Sequence, residues 1–378
     1  MYIKGVGMTR FDVIDKPSHL IAYDAAYAAL ENSGLSINDI DAVVLGNQDF
    51  DPNGERQRHI PTMLSSLFKK VIPIMRTPAA CSSGGVAMWT ANKIVENDKN
   101  INNVMVLGVE KLSTCPTFVT TDELMMASNQ RFEQPEGMIF PAQNALVAQQ
   151  HFMKYGSNSD DLALIALKNH ENAFLNPKAK FYKKKVTLDT IKKSPIVASP
   201  LRLFDCSITV DGAASCILSK DKSDVEIIAS SLYTDYLSTF ERDDMVTWNA
   251  IKNAADAAYK QANLKPKDID LVEIHDAFTI VELVSYEDLG FAEKGHGQEL
   301  IRDGTVKLDG KLPVNTSGGL KAKGHPISPT GVAQIVELTE QLRGECKDRQ
   351  VSNAKIGLAQ NIGGAGGTVI VNILKKSS

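Results

Sequence analysis

One cysteine and two histidines sit where chemistry is usually done. Cys81 lies in TPAACSSGGVAMWTANKIV (77–95), between an apolar run and a helix-like pattern. The spacing predicts a thiol at or just before a helix N-terminus. Unpaired N–H groups and the helix dipole favour a thiolate there and lower cysteine pKa values to roughly 3.5–7.5. Gly84 and Gly85 behind it let backbone approach a ligand closely. Such a thiol is suited to nucleophilic attack and to carrying an acyl group. It also needs a base. His275 ends the apolar strand-like IDLVEIHDAF, and His325 stands in NTSGGLKAKGHPISPTG, a Gly-rich turn before a helix pattern. The carboxyl ends of strands and the entries to helices are where α/β sheets place reacting groups. His170, in KNHENAFLNP, is a third candidate. The Gly-rich NIGGAGGTVIVNIL (361–374) lacks the lysine and spacing of a phosphate loop, but its backbone amides can stabilise an oxyanion.

These residues are far apart in the chain, so the elements must bring them together. A chain of 378 residues is too long for one ordinary core, and two or three domains are expected. A 43% hydrophobic and 23% charged composition is that of a globular protein, and a net charge of −4 argues against nucleic acid as a partner. No stretch approaches the ~18 apolar residues of a membrane helix, and MYIKGVGMTRFD is not a signal run, so a cytoplasmic protein is expected. Five cysteines (81, 115, 206, 216, 346) form no CxxC pair. That disfavours a disulfide framework or zinc site, and no metal is expected, but a single reactive thiol fits.

Strand-like runs (42–46, 104–110) alternate with helix patterns such as HLIAYDAAYAALENSG (19–34), with Ser18 as the expected N-cap and Gly34 as the stop. This predicts a parallel-type sheet covered by helices. A methionine- and lysine-rich stretch, about 113–200, reads as an insertion. The pattern then restarts. Residues 25–46 (AAYAALENSGLSINDIDAVVLG) and 254–275 (AADAAYKQANLKPKDIDLVEIH) share nine of 22 positions without a gap, including DID in register. GVAMWTANKIV (85–95) is echoed by GVAQIVELTEQL (331–342). An internal duplication follows: 1–220 as one half with the insertion, and 221–378 as the other. The turns carrying Cys81 and His325 would be pseudo-symmetry mates meeting at one interface.

Taken together, AACSSGG, HDAF (275–278), GGLKAKGHPISPTG and NIGGAGG, in that order, resemble the thiolase superfamily. The likeness is nearest to the SCP-x type, which includes archaeal acetyl-CoA acetyltransferases. GVEKLS and ALVAQQHFMKYG resemble that type as well. The resemblance covers essentially the whole chain. It implies an α/β thiolase fold of two βαβαβαββ halves in five layers, α-β-α-β-α, with a loop domain over the coenzyme A tail. It implies acetyl-CoA C-acetyltransferase activity, the Claisen condensation of two acetyl-CoA through acetyl-Cys81, with coenzyme A thioesters as substrates and no cofactor. His325 would take the thiol proton, His275 and His325 would help stabilise the enolate oxygen, and the amides of Cys81 and Gly363 would form the other oxyanion hole. Ser317, Gly318, His170 and Lys321 are expected at coenzyme A. A homodimer or dimer of dimers is implied, as is a complex with a 3-hydroxy-3-methylglutaryl-CoA synthase and a small zinc/OB-fold protein of the DUF35 type. No nucleic acid or membrane partner is implied.

The sequence departs from the family where the second catalytic cysteine usually stands. Those positions read Asn361 and Ala277. A base near the substrate carbon is still needed, and His275, His325 or a cysteine reaching in, such as Cys115, could serve. The lysine cluster 178–193 could meet phosphates or form a solvated face. Two alternatives remain open at this level. A related condensing enzyme, a hydroxymethylglutaryl-CoA synthase or a ketoacyl synthase, would need a glutamate such as Glu55. A thiolase-fold scaffold would have lost turnover.

Overall fold

The computed structural model describes residues 1–48 and 51–377. The first half runs β1 (Tyr2–Met8), α1 (Ser18–Ser33), β2 (Ala42–Gly46), α2 (Ile60–Phe68), β3 (Ile74–Thr77), α3 (Ser83–Asn97) and β4 (Asn103–Glu110). An excursion follows: α4 (Thr117–Met125), α5 (Phe140–Tyr155), α6 (Ser159–Leu175), α7 (Leu188–Lys193), and the short β5 (Ile196–Ala198) and β6 (Leu201–Arg202). The chain then returns as β7 (Gly212–Ser219). The second half runs β8 (Val225–Thr234), α8 (Asn249–Ala262), β9 (Leu271–Glu273), α9 (Thr279–Asp288), α10 (Gly297–Arg302), α11 (Thr330–Arg343), β10 (Ile356–Gly363) and β11 (Thr368–Lys376).

The pairing pattern occurs twice. β1 lies antiparallel to β7, β7 antiparallel to β4, and β4 and β3 flank β2 in parallel. Likewise β8 lies antiparallel to β11 and β11 to β10, while β10 and a single bridge at Val314 flank β9 in parallel. The pair Tyr2–Glu226 joins the halves into one hydrogen-bonded order, β3-β2-β4-β7-β1-β8-β11-β10-β9.

The repeated DID has the same duties in each half. Asp39 accepts the Ser36 amide at 2.8 Å, and Asp268 accepts that of Lys265 at 2.8 Å, each closing a one-turn helix. Asp41 takes the amides of Asn102 and Asn103 at 2.8 and 2.9 Å, and Asp270 those of Lys355 and Ile356 at 2.8 and 2.9 Å. Each pins the entry of the neighbouring strand, β4 or β10. A charged acceptor satisfies two backbone donors, so the sequence repeats because the job repeats.

The layers follow from which faces are apolar. α1 packs on β1, β7 and β4, and α8 on β8 and β11. Between the halves lie α3 and α11, touching each other and strands of both halves. The result is α-β-α-β-α. A helix in the middle layer must be buried all round, and α11 is buried from Thr330 through Thr339. Strands covered on both faces read as continuous apolar runs, which is why every residue of β4 is buried. α5 and α6 pack on α9, so the excursion shares the core of the second half.

Two local details differ from expectation. Gly34 ends α1 in the left-handed region at φ 70°, as its type suggests. Ser18, however, is not the N-cap. The helix starts at Ser18 with Pro17 before it, and the capping acceptor is the Glu55 carboxylate, 2.7 Å from the Ser18 amide. Among the described residues, no helix is long and apolar enough to cross a membrane.

Candidate active site

Cys81 stands two residues before α3, in a turn forced through φ 48° at Ala80. His275 follows β9, and His325 lies five residues before α11. The middle layer brings them together. At Gly84 a Cβ would lie 2.3 Å from the Ser328 carbonyl, and at Gly331 one would lie 2.4 Å from the Gly85 amide. Only glycine allows the α3 and α11 N-termini this close. Glu110 locks the same junction. It accepts from Asn47 at 3.0 Å, the Gln48 amide at 2.9 Å and the Ser328 hydroxyl at 2.6 Å, tying both halves together at the end of β4.

One donor atom from each of Cys81, His275 and His325 lies within 4.8 Å of the others. The imidazoles cross edge-to-face at 5.1 Å between centroids. All three line an inner chamber of about 80 Å³, walled by apolar groups including Trp248, Phe278 and Ile362. Cys81 also borders a larger cleft of about 500 Å³, between the turns at Pro78 and Gly364 on one side and α4 on the other. The thiol therefore sits where the cleft narrows into the chamber.

The electrostatics differ from the helix-dipole expectation. Burial pushes the Cys81 thiol up to about 12, against the pull of two amides that face the sulfur, and the nearby Glu110 carboxylate adds to the rise. Desolvation of a thiolate outweighs the helix N-terminus here. One of those amides is Cys81's own; the other belongs to Gly364, the residue after the Gly363 expected at the oxyanion. Gly363 still pairs with Thr368 in the β10–β11 ladder, and the chain turns only at Gly364, φ 62°. Burial also holds both histidines neutral: His275 well below its ordinary value, with His325 adding to the effect, and His325 down to about 3. The His325 Nδ1 meets the Thr330 hydroxyl at 2.8 Å, while its buried Nε2 has no hydrogen-bond partner among the described residues. Asn361 spans Cys81, Gly85 and His275.

The remaining sequence candidates are placed otherwise. Cys115 touches the small cluster around Leu112 and Ile327, but its thiol leans on the Leu112 carbonyl at 3.7 Å. Ser317 and Gly318 are buried, the Ser317 hydroxyl donating to Glu273 at 2.6 Å. His170 is held edge-on between Phe181 and Phe204, and Lys321 is 2% exposed. These four are buried and are not among the cleft-lining residues: α6, which carries His170, packs over the segment 315–323. Four lysines of 178–193 are engaged structurally: Lys178 with Glu340, Lys180 with Asp12, Lys192 with Asp160 at 2.8 Å and Lys193 with Asp189 at 2.9 Å. None is among the cleft-lining residues.

Sequence reasoning missed Asn144, which lines the chamber from α5 with an unpartnered Oδ1. It also left Glu110 without a role. No periodicity marks either; only a polar residue in an otherwise apolar stretch hinted at Glu110. By ligand type, the thiol and two imidazoles could also hold a zinc ion. Glu337, Glu340 and Cys346 form a second such group, but its carboxylates bind Arg349 and Lys178.

Comparison with known proteins agrees with this architecture. The family profile "Thiolase, N-terminal domain" matches residues 4–222, and "Thiolase C-terminal domain-like" matches 232–376. The chain belongs to the thiolase family and is an enzyme of the acyltransferase class. It is 40% identical to an acetyl-CoA acetyltransferase of Methanothermobacter thermautotrophicus and 36% to one of Methanocaldococcus jannaschii, each over 98% of both chains. It is 32% identical to sterol carrier protein 2 of Bos taurus, over 99% of this chain and 72% of that one. Among solved structures, an Ltp2-ChsH2(DUF35) aldolase superposes with TM-score 0.84 at 23% identity, covering 99% and 97% of the two chains. An acetyl-CoA acetyltransferase from Syntrophomonas wolfei gives 0.75 at 19%, covering 100% and 99%.

Proposed function

We propose that the protein condenses two molecules of acetyl-CoA to acetoacetyl-CoA and CoA, reversibly, through an acetyl-Cys81 intermediate. One observation carries this reading: a protonated thiol and two neutral imidazoles converge in an apolar chamber at the end of a cleft. The relatives at 40% and 36% identity, both acetyl-CoA acetyltransferases, support the choice of acyl group.

In the first half-reaction His325 removes the thiol proton, and the sulfur attacks the thioester carbonyl. In this reading the two amides that face the sulfur, those of Cys81 and Gly364, would take the resulting oxyanion. In the second, the enolate of another acetyl-CoA attacks acetyl-Cys81. The cleft, roofed by α4, takes the pantetheine arm. No metal or cofactor takes part. The chain works as a homodimer or higher assembly and joins a hydroxymethylglutaryl-CoA synthase and a DUF35-type protein; the DUF35-containing structural relative supports the last.

Incubation with acetyl-CoA tests this, with and without prior dialysis against a chelator. The expected result is stoichiometric CoA release, an acetyl group on Cys81 by peptide mass spectrometry, and acetoacetyl-CoA on longer incubation. Absence of acetylation would instead identify a scaffold that has lost turnover. A hydroxymethylglutaryl-CoA synthase reading is disfavoured because Glu55 is committed to capping α1.

A further inference from the structure

The position at which many thiolases carry a second cysteine holds Asn361, 2% exposed. Its carboxamide is anchored at both ends by groups of fixed polarity. Oδ1 receives the Gly85 backbone N–H at 3.1 Å, and Nδ2 faces the Cys81 carbonyl at 3.3 Å. A backbone N–H only donates and a carbonyl only accepts. Reversing the amide would set N–H against N–H and oxygen against oxygen, so its orientation is settled without reference to any histidine. The same Nδ2 lies 3.1 Å from Nδ1 of His275. An amide NH₂ can only donate, so Nδ1 must present its lone pair. A neutral imidazole then carries its single proton on Nε2.

His325 is held differently. Its Nδ1 partner is the Thr330 hydroxyl, which can donate or accept, and its buried Nε2 has no partner among the described residues. None of those residues obliges that nitrogen to carry a proton.

We infer that Asn361 is a positioning residue that locks His275 as an Nε2–H donor, leaving His325 as the single base for both half-reactions. This deepens the proposed condensation and rests on that reading. The balance closes with one imidazole. In acylation the thiol proton moves to His325 Nε2, the sulfur bonds to the acetyl carbon, and the departing CoA thiolate takes the proton back. In condensation His325 Nε2 takes a methyl proton of the second acetyl-CoA. The C–H electron pair becomes the enolate, whose oxygen accepts from His275 Nε2–H. The enolate carbon bonds to the acetyl carbon, the bond to Cys81 breaks, and the proton passes from His325 to the sulfur. No second thiol is required, and the side chain at its place serves to fix a tautomer.

Two measurements test the lock. The first is long-range ¹H–¹⁵N correlation on the full chain labelled at histidine, with His275 assigned by the loss of its signals in His275→Gln. A neutral His275 protonated on Nε2 is expected; protonation on Nδ1 would overturn the inference whatever the protein catalyses. The second is Asn361→Asp, whose carboxylate draws the imidazole proton to Nδ1. Exchange of labelled CoA with acetyl-CoA reads acylation, and acetoacetyl-CoA formation reads condensation. Condensation kcat should fall ~10²–10³-fold, the cost of one oxyanion donor, while exchange falls by less than a tenth of that. Equal losses in both would overturn the lock. A wild-type protein with the Nε2 tautomer but no acyl transfer would refute the proposed function and leave the lock standing. If Asn361→Asp does not fold, the wild-type spectrum still decides.

Discussion

A thiol pushed up to about 12 is protonated throughout the physiological range, so the proposed acylation of Cys81 needs a base. His325 is placed for the task because its Nε2 has no partner among the described residues; burial, which pushes it down to about 3, keeps that nitrogen unprotonated although it weakens it as a base. A depressed histidine pKa keeps the basic form available until the pH falls close to that value. The rate of Cys81 acetylation should therefore show no loss as pH falls through 6.5, the ordinary histidine value, toward 5. Removing the base should cost ~10²–10⁴-fold in that rate, the usual contribution of one positioned proton acceptor. Intact-mass kinetics on His325→Ala against wild type, from pH 5 to 8, would measure both. An acid limb centred near 6.5 would mean that a solvated histidine, not this one, is the base.

At the scale of elements, the meeting of α3 and α11 sets the site. The approach of Gly331 to Gly85 leaves no space for a methyl group: a Cβ would stand 2.4 Å from both the Gly85 amide nitrogen and Asn361 Oδ1. Gly331→Ala should therefore push the helices apart. Overpacking of this kind costs ~1–3 kcal/mol, and the Cys81–His325 spacing would widen with it. Both a lower Tm and slower Cys81 acetylation are expected, by thermal denaturation and mass spectrometry. A stable but inactive variant would show that spacing matters more than packing. The duplication behind this junction was readable in the sequence because its aspartates have purely local duties. Asp39 and Asp268 cap turns, and Asp41 and Asp270 hold strand entries, so the same letters recur wherever the element recurs.

For the molecule as a whole, what the sequence could not convey is burial. Cys81, His275 and His325 were legible because nucleophile and base types stood at element ends. Ser317, Gly318, His170 and Lys321, which the family resemblance placed at coenzyme A, are buried and are not among the cleft-lining residues. Where α6 packs on α9 and on the segment 315–323, polar groups pair inward: Lys168 meets Glu282 at 2.5 Å, and Lys323 meets Ser317 at 2.9 Å. That interior makes acid stability a test of the fold. Burial, with Lys321 nearby, pushes His170 down to about 3. Below 6.5 the unfolded chain takes up a proton at this residue that the folded chain refuses until about 3. Stability is therefore lost as pH falls across that window. His170→Phe removes the penalty and keeps an aromatic ring between Phe181 and Phe204. Relative to wild type, the variant should gain about 2–3 kcal/mol between pH 7 and pH 4.5, at 1.36 kcal/mol per pKa unit. Urea denaturation at the two pH values reads this directly as a change in the difference between the proteins. A difference that stays constant with pH would mean that His170 reaches water in the native state and that the interior around Phe181 and Phe204 is open.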